Sequence, residues 1–358
     1  MNAKLLEDIA NAVLYEGYML YPYRPSSVKN RQRWNFGVVY PRPYSELQSG
    51  ADNWFMNTEC LATGSSPIRF GVKVRFLQAV SKTVGELTAP LDEWPGNTAG
   101  RELEFRTVET LRVGDQILQT WQEAVECEIV VPAFGPGFSG RSVRSVAQLF
   151  PPGRELEPVR AADGKITALI IRTREAVSAQ VDVTVERIDE GLSKITARIS
   201  NVTATSDAKS VGRDEALMHS LLSAHTILSV AGAEFVSLLD PPDALKDAVA
   251  KCSNVGTWPV LAGDEGERDG MLSSPIILYD YPQIAPESPG NLFDGTEIDE
   301  ILALRILTLT DDEKDEMRNA DDRGRQILER TEALPPEHFM KLHGVLRALR
   351  PSAEKEQP

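Results

Sequence analysis

The spacing of apolar and polar positions divides the chain into a part with strand-like alternation and a part with helical spacing. Residues 3–17 open with Leu5, Leu6, Ile9, Val13 and Leu14 on one stripe, the pattern of an amphipathic helix that Gly17 and Pro22 would end. From Ile68 to Leu77, Phe70, Val72, Val74 and Phe76 occupy alternate positions and predict a strand. A connection marked by proline and glycine is expected from Leu87 to Gly100. Alternation resumes at Leu103–Val113 and again through Trp121, Val125, Cys127, Ile129 and Val131, although a helix over 115–123 also fits. The clearest strands fall in 165–203, where Ile166, Ala168 and Ile170, then Val181, Val183 and Val185, then Ile195, Ala197 and Ile199 alternate. Asp189-Glu190-Gly191 joins the last two runs as a hairpin. Short strands joined by such turns predict an antiparallel sheet or sandwich rather than a βαβ sheet.

After TATSDAKSVG (203–212), which reads as a linker, helical spacing takes over. Leu217, Leu221, Leu222 and Leu228 predict a helix face between Arg213 and Val230, with His219 and His225 on opposite sides and unable to share a metal. A short helix is expected at Asp243–Lys251. The segment Pro275–Leu309 begins as a buried strand at Ile276–Leu278 and leaves regular structure at Tyr279-Asp280-Tyr281-Pro282. Pro286 and Pro289 hold it extended, and it re-enters a helix at Asp294-Gly295-Thr296. Thr296 with Asp299 and Thr310 with Glu313 read as capping boxes, and Pro335-Pro336-Glu337 starts a last helix. The fold class expected is α+β. Residues 1–205 form a mostly antiparallel β-rich domain with an N-terminal helix, and residues 206–358 form a helix-rich region that contains the Pro275–Leu309 motif.

Composition narrows the class. A chain of 358 residues, 42% hydrophobic and 25% charged, has the make-up of a soluble globular protein with a well-buried core. Its apolar runs are too short to cross a bilayer, and the acids in MNAKLLEDIANAV argue against a signal peptide, so a cytoplasmic location is expected. Cys60, Cys127 and Cys252 have no metal-knuckle or redox spacing and are expected to be free thiols. A net charge of −15 argues against general affinity for nucleic acid or anionic lipid. That charge is uneven. Tyr18–Tyr44 contains no acid but holds Arg24, Lys29, Arg31, Arg33 and Arg42, whereas Asp294–Asp322 holds eleven acids. The two stretches are expected to dock into one composite surface, within one chain or across a homodimer.

Two sets of candidate site residues follow. Tyr21, Tyr23, Arg24, Arg31, Arg33 and Trp34 combine aromatic area with guanidinium charge, as interface anchors do, and Tyr279, Asp280 and Tyr281 extend the set. The competing reading packs these rings on the core and pairs the arginines locally. Asp280, Glu287, Asp294 and Glu297 could instead hold a hard cation for metal-assisted hydrolysis, or simply cap backbone groups and helix first turns. No HExxH, EF-hand, dinucleotide or hydrolase-triad pattern is present, and no cofactor is expected. The loop PAFGPGFSG (132–140) lacks the spacing of a phosphate cradle or a nucleophile elbow. It reads as a turn, with Ser139 no nucleophile.

The strings SPIILYDYPQIAPESPGNLFDGTEIDEILALRILTLTDDEK, LYEGYMLYPYRPSSVKNRQRWNFGVVYP and SAHTILSVAGAEFVSLLDPP give the chain a further identity signal. Through them it resembles a family of bacterial proteins encoded within nickel–iron hydrogenase gene clusters, beside the structural subunits and maturation factors. The resemblance implies a non-catalytic accessory or assembly role through protein–protein recognition, with a hydrogenase subunit or maturation factor as partner. It assigns no reaction. The paired CxxC motifs that hold the nickel–iron centre of a hydrogenase large subunit are missing, so the chain is not itself a hydrogenase.

Overall fold

A computed structural model describes residues 3–16, 18, 36–48, 52–64, 67–95, 103–137, 139–204, 211–283, 303 and 305–335. They form mostly antiparallel sheets with a few helices. One five-stranded sheet runs in the order β13 (Glu234–Phe235), β1 (Phe55–Thr63), β11 (Leu192–Asn201), β10 (Val177–Asp189), β7 (Arg141–Phe150). The larger sheet is built on β2 (Arg69–Leu91). Its order is β14 (Trp258–Leu261), β15 (Gly270–Ser274), β12 (Leu222–Ala231), β2, β9 (Ile166–Arg174), β8 (Gly153–Arg160), and β3 (Phe105–Val108) and β6 (Trp121–Phe134) also pair with β2. β4 (Thr110–Val113) and β5 (Gln116–Gln119) make a separate hairpin.

The main core lies between the sheets. The alternating valines of β10 (Val181, Val183, Val185) and the inward residues of β11 (Ile195, Ala197, Ile199) face Phe70, Val72, Val74 and Phe76 of β2. All are nearly or fully buried, and each large side chain contributes about 1.5–3 kcal/mol by leaving water. Leu228, Val230, Leu261 and Met271 belong to the same core, so residues before and after 205 share it.

The strand expected at Ile68–Leu77 is longer than its alternation indicated. β2 runs 23 residues, to Leu91 inside the connection expected from Leu87, because its second half pairs with β9 on one edge and β3 on the other. The helix expected across Arg213–Val230 stops at Met218, as α3 (Arg213–Met218), with α2 (Arg42–Leu47) preceding it in the chain. Residues 222–231 are strand instead. β12 is covered on both faces, by the sheet core through Leu228 and by the N-terminal helix through Ile227, so its apolar run has no alternation to mark it. The strand expected at Ile276–Leu278 also fails. β15 ends at Ser274, before a proline with no N–H to donate, and Ile277 is 75% exposed. Over 115–123 the chain is strand, not helix.

The N-terminal helix α1 (Ala3–Leu14) buries Leu6, Ile9, Ala10 and Val13 on Ile227 and Leu272, as its stripe predicts. Arg75, 7% exposed, joins it to the sheet. The guanidinium donates to Asn11 Oδ1 (2.7 Å) and Glu7 Oε2 (3.3 Å) on the helix and to Glu126 Oε2 (3.0 Å) on β6. Tyr15 Oη donates to Glu126 Oε1 at 2.6 Å. Beyond α4 (Lys246–Val249) lie α5 (Asp311–Ala320) and α6 (Asp322–Glu332). The Thr310–Glu313 capping box forms as expected. Buried Lys82 of β2 donates to the Ala320 carbonyl (2.9 Å), placing an ammonium at the negative C-terminal end of α5. Among the described residues no helix is long and apolar enough to cross a membrane. The helices expected from Thr296 and from Pro335, and the Thr296–Asp299 box, lie outside or largely outside the described residues.

Candidate functional site

The residues that define the expected docking, Arg24, Arg31 and Arg33 against Asp294, Glu297 and Asp299, lie outside the described residues; the described edges of the two stretches share a contact. Tyr18 Oη donates to Asp321 Oδ2 at 2.7 Å, and the Arg323 guanidinium lies 3.5 Å from the centre of the Tyr15 ring. At the other flank Gly37 packs on Pro275. Its φ is +57°, and a Cβ there would lie 2.6 Å from the proline Cβ and Cγ, so only glycine allows the approach. Tyr21, Tyr23, Arg24, Arg31, Arg33 and Trp34 fall outside the described residues, as do Glu287, Asp294 and Glu297.

Where the basic aromatic segment rejoins the fold, it is held by backbone. Val39 bridges Leu221 in both directions (2.9 and 3.1 Å). Asn201, fully buried at the end of β11, donates to the carbonyls of Val39 (2.9 Å) and His219 (2.8 Å). Tyr40 N–H reaches the Asn53 carbonyl (2.9 Å), and Ser45 Oγ donates to the Asp52 carbonyl. These ties shape a cleft of about 470 Å³ whose aromatic walls are Phe36, Tyr40, Phe55 and Trp258, with Pro275 on its rim. Asp52 and Arg213 give it a charged floor. Burial raises the Tyr40 phenol above its usual range; Arg213 opposes the shift and Asp52 adds to it. Tyr40 therefore stays a neutral hydrogen-bonding group at physiological pH.

Aromatic surface continues outside the cleft. Trp54 lies between two guanidiniums, Arg42 at 4.6 Å and Arg198 at 5.2 Å from the ring centre, and Arg198 is also 3.8 Å from the centre of Phe55. Stacked arginines on indole are worth about 0.5–1 kcal/mol each at exposed sites and hold the rings in place. Phe36 and Trp258 are each 45% exposed, and Ile277 and Tyr279, just beyond Pro275, are 75% and 87% exposed. One exposed apolar side chain needs no explanation; two half-exposed aromatic rings on one cleft do.

The Tyr279-Asp280-Tyr281 turn divides its labour. Tyr279 faces solvent. Tyr281, in the left-handed region at φ +56°, turns its ring against the main core, and its N–H donates to the Leu261 carbonyl (2.7 Å). Asp280 Oδ1 accepts from Leu261 N–H (2.8 Å) and Oδ2 from Ser237 Oγ (2.5 Å). Ser237 Oγ in turn accepts from the N–H groups of Leu239 (3.2 Å) and Asp240 (2.9 Å). Both oxygens of Asp280 are thus committed to neighbouring loops, which makes it a staple for the turn that displays Tyr279. Among the described residues no three His, Cys, Asp or Glu side chains converge as metal ligands.

The acid-free stretch Tyr18–Tyr44 contains Phe36 and Tyr40, but sequence reasoning names neither as a site residue and misses Trp54, Trp258, Arg198 and Arg213. Asn53-Trp54-Phe55 at the head of a strand and Trp258-Pro259 were the available signals. The three cysteines are free, and burial raises the Cys60 thiol well above its usual value and that of Cys127 to about 12, so neither is a ready nucleophile. No family model matches the chain, and no curated protein matches it.

Proposed function

We propose that the protein is a non-catalytic recognition module that docks a protein partner on the aromatic surface around Phe36 and Trp258. In this reading it acts in the cytoplasm as an accessory to nickel–iron hydrogenase, and the partner is a hydrogenase subunit or a maturation factor. The observation that carries the reading is the pair of exposed rings, Phe36 and Trp258, on one preformed cleft, with arginines lying against the neighbouring Trp54 and Phe55. Aromatic and arginine side chains are the residues that dominate binding energy at protein interfaces, because each brings large area with few degrees of freedom. The site also adjoins the segment holding Tyr21, Tyr23, Arg24, Arg31, Arg33 and Trp34, whose composition has the same character. The resemblance of the chain to proteins encoded beside hydrogenase genes supplies the partner class.

The test uses the full chain as bait in extracts of its native host, beside a Phe36→Ala/Trp258→Ala variant of equal stability. The expected result is recovery of a hydrogenase subunit or maturation factor by the wild type and a loss of about tenfold or more in the variant. If neither protein class is recovered, or the variant captures it equally well, this function is wrong.

A further inference from the structure

A second cleft lies at the far end of the five-stranded sheet. Ser200 is in register with both Phe55 and Gln180, whereas Arg187 is in register with Ser193. Seven residues of β10 (180 to 187) therefore separate the clefts, or about 23 Å at 3.3 Å per residue. The second cleft encloses about 680 Å³ where the head of β2, the end of β6, the start of β7 and the end of β10 converge. Arg69, Arg144 and Arg187 line it with Phe134 and Ser142, and no acid is among its described lining residues.

What sets these arginines apart is that three of them line one cleft. With 53 acids against 38 basic residues, an arginine has ample opportunity to pair, and Arg75 and Arg172 each bind two carboxylates. Among the described residues no carboxylate is within ion-pair distance of Arg69, Arg144 or Arg187. Two of the three are nevertheless held. Arg69 Nη2 donates to the Ala133 carbonyl (2.8 Å), and the Arg144 guanidinium sits 5.0 Å from the centre of the Phe134 ring. The third is anchored through its backbone, Arg187 N–H donating to the Gly140 carbonyl at 2.6 Å.

Glycine brings the walls together. A Cβ on Gly135 would lie 2.2 Å from the Ile68 carbonyl oxygen, so only glycine lets the end of β6 lie against the head of β2. Gly137, at φ +64°, folds the loop over Ser142, where a Cβ would come 2.9 Å from Oγ. Residues 133–137, within the stretch that read as a plain turn, therefore line a cationic cleft of a size that suits a small molecule.

We propose that this cleft binds a small polyanion presenting phosphate or carboxylate oxygens. Guanidinium forks match both oxyanions in bidentate geometry, and the three charges are left uncompensated by the protein, so the ligand neutralises them. The site is separate from the recognition surface and does not rest on that reading.

The experiment is isothermal titration calorimetry of the full chain with inorganic pyrophosphate and, separately, with citrate. The comparison variants are Arg144→Ala, Arg187→Ala and the distant Arg106→Ala, with circular dichroism confirming the fold of each. The expected result is saturable one-to-one binding of at least one anion, weakened about tenfold or more by Arg144→Ala and by Arg187→Ala, and unchanged by Arg106→Ala. Binding of pyrophosphate alone identifies a phosphate ligand, and binding of citrate alone a carboxylate one. The proposal is overturned if neither anion saturates the wild type, or if the Arg144 and Arg187 variants bind as the wild type does. Partner capture through Phe36 and Trp258 should persist in both arginine variants, which separates failure of this site from failure of the recognition surface.

Discussion

Asp280→Asn tests whether the acidic turn is a structural staple or a ligand site. In the native turn Asp280 only accepts: Leu261 N–H at 2.8 Å and Ser237 Oγ at 2.5 Å. Ser237 Oγ has spent its one proton on Asp280, and its lone pairs face the N–H groups of Leu239 and Asp240. An amide at residue 280 keeps one acceptor and gains a donor. In one orientation the new NH2 points at a hydroxyl oxygen already occupied by two donors; in the other it points at Leu261 N–H. Either orientation leaves one donor opposed to another, and an unsatisfied donor costs about 1–3 kcal/mol. Because Asp280 is half-buried, water recovers part of this, and about 1–2 kcal/mol is expected. Urea unfolding should show the loss, and hydrogen exchange at the amides of Leu261 and Tyr281 should accelerate by about 5- to 30-fold, since Leu261 N–H donates to the Asp280 carboxylate and Tyr281 N–H to the Leu261 carbonyl. Unchanged stability and exchange, together with loss of a calorimetrically measured divalent-cation affinity present in the wild type, would refute the staple and make Asp280 a ligand.

Two further outcomes follow from particular contacts. Gly37→Ala must adopt φ +57° and meet the Pro275 ring, so it should lower stability by about 1–3 kcal/mol and weaken partner capture; a variant matching the wild type in both would show that the 37–275 approach is not needed. His225 is fully buried, its Nδ1 on the Ser223 carbonyl (3.1 Å) and its Nε2 without a partner among the described residues. Burial lowers its pKa from 6.5 to about 4, and Arg75 opposes protonation further while Glu7 and Glu126 favour it. A depressed histidine pKa means stability that is complete above the unfolded value and lost as pH falls toward the folded one. Between pH 7 and 4.5 this group alone should cost about 2–2.5 kcal/mol. Urea midpoints across that range should fall more steeply for the wild type than for His225→Leu, and parallel slopes would contradict the assignment.

Much of the architecture was written in the order of residues alone. Strands with one face in the sandwich core, such as β10 and β11, alternate because the pleat sends neighbouring side chains to opposite environments, and the amphipathic α1 and the Thr310–Glu313 cap depend only on local spacing. β12 was illegible for the converse reason: both of its faces are buried, so the spacing of Leu217, Leu221, Leu222 and Leu228 imitated a helix until pairing with β2 and β15 decided the matter. The second half of β2 was hidden by glycine and proline, whose punctuation its two partner strands override. The candidate surface was half readable. An acid-free run of rings and arginines contained Phe36 and Tyr40 without singling them out, and Trp258 joins them only through the pairing of β14 with β15, more than 200 residues later. What Asp280 binds is a backbone N–H and a serine hydroxyl, groups that carry no signature in a sequence. Arg69, Arg144 and Arg187 are ordinary surface residues of three strands when read along the chain. They become one cationic cleft only because antiparallel pairing brings the ends of those strands together, and long-range pairing is a property of the folded chain rather than of any stretch of it.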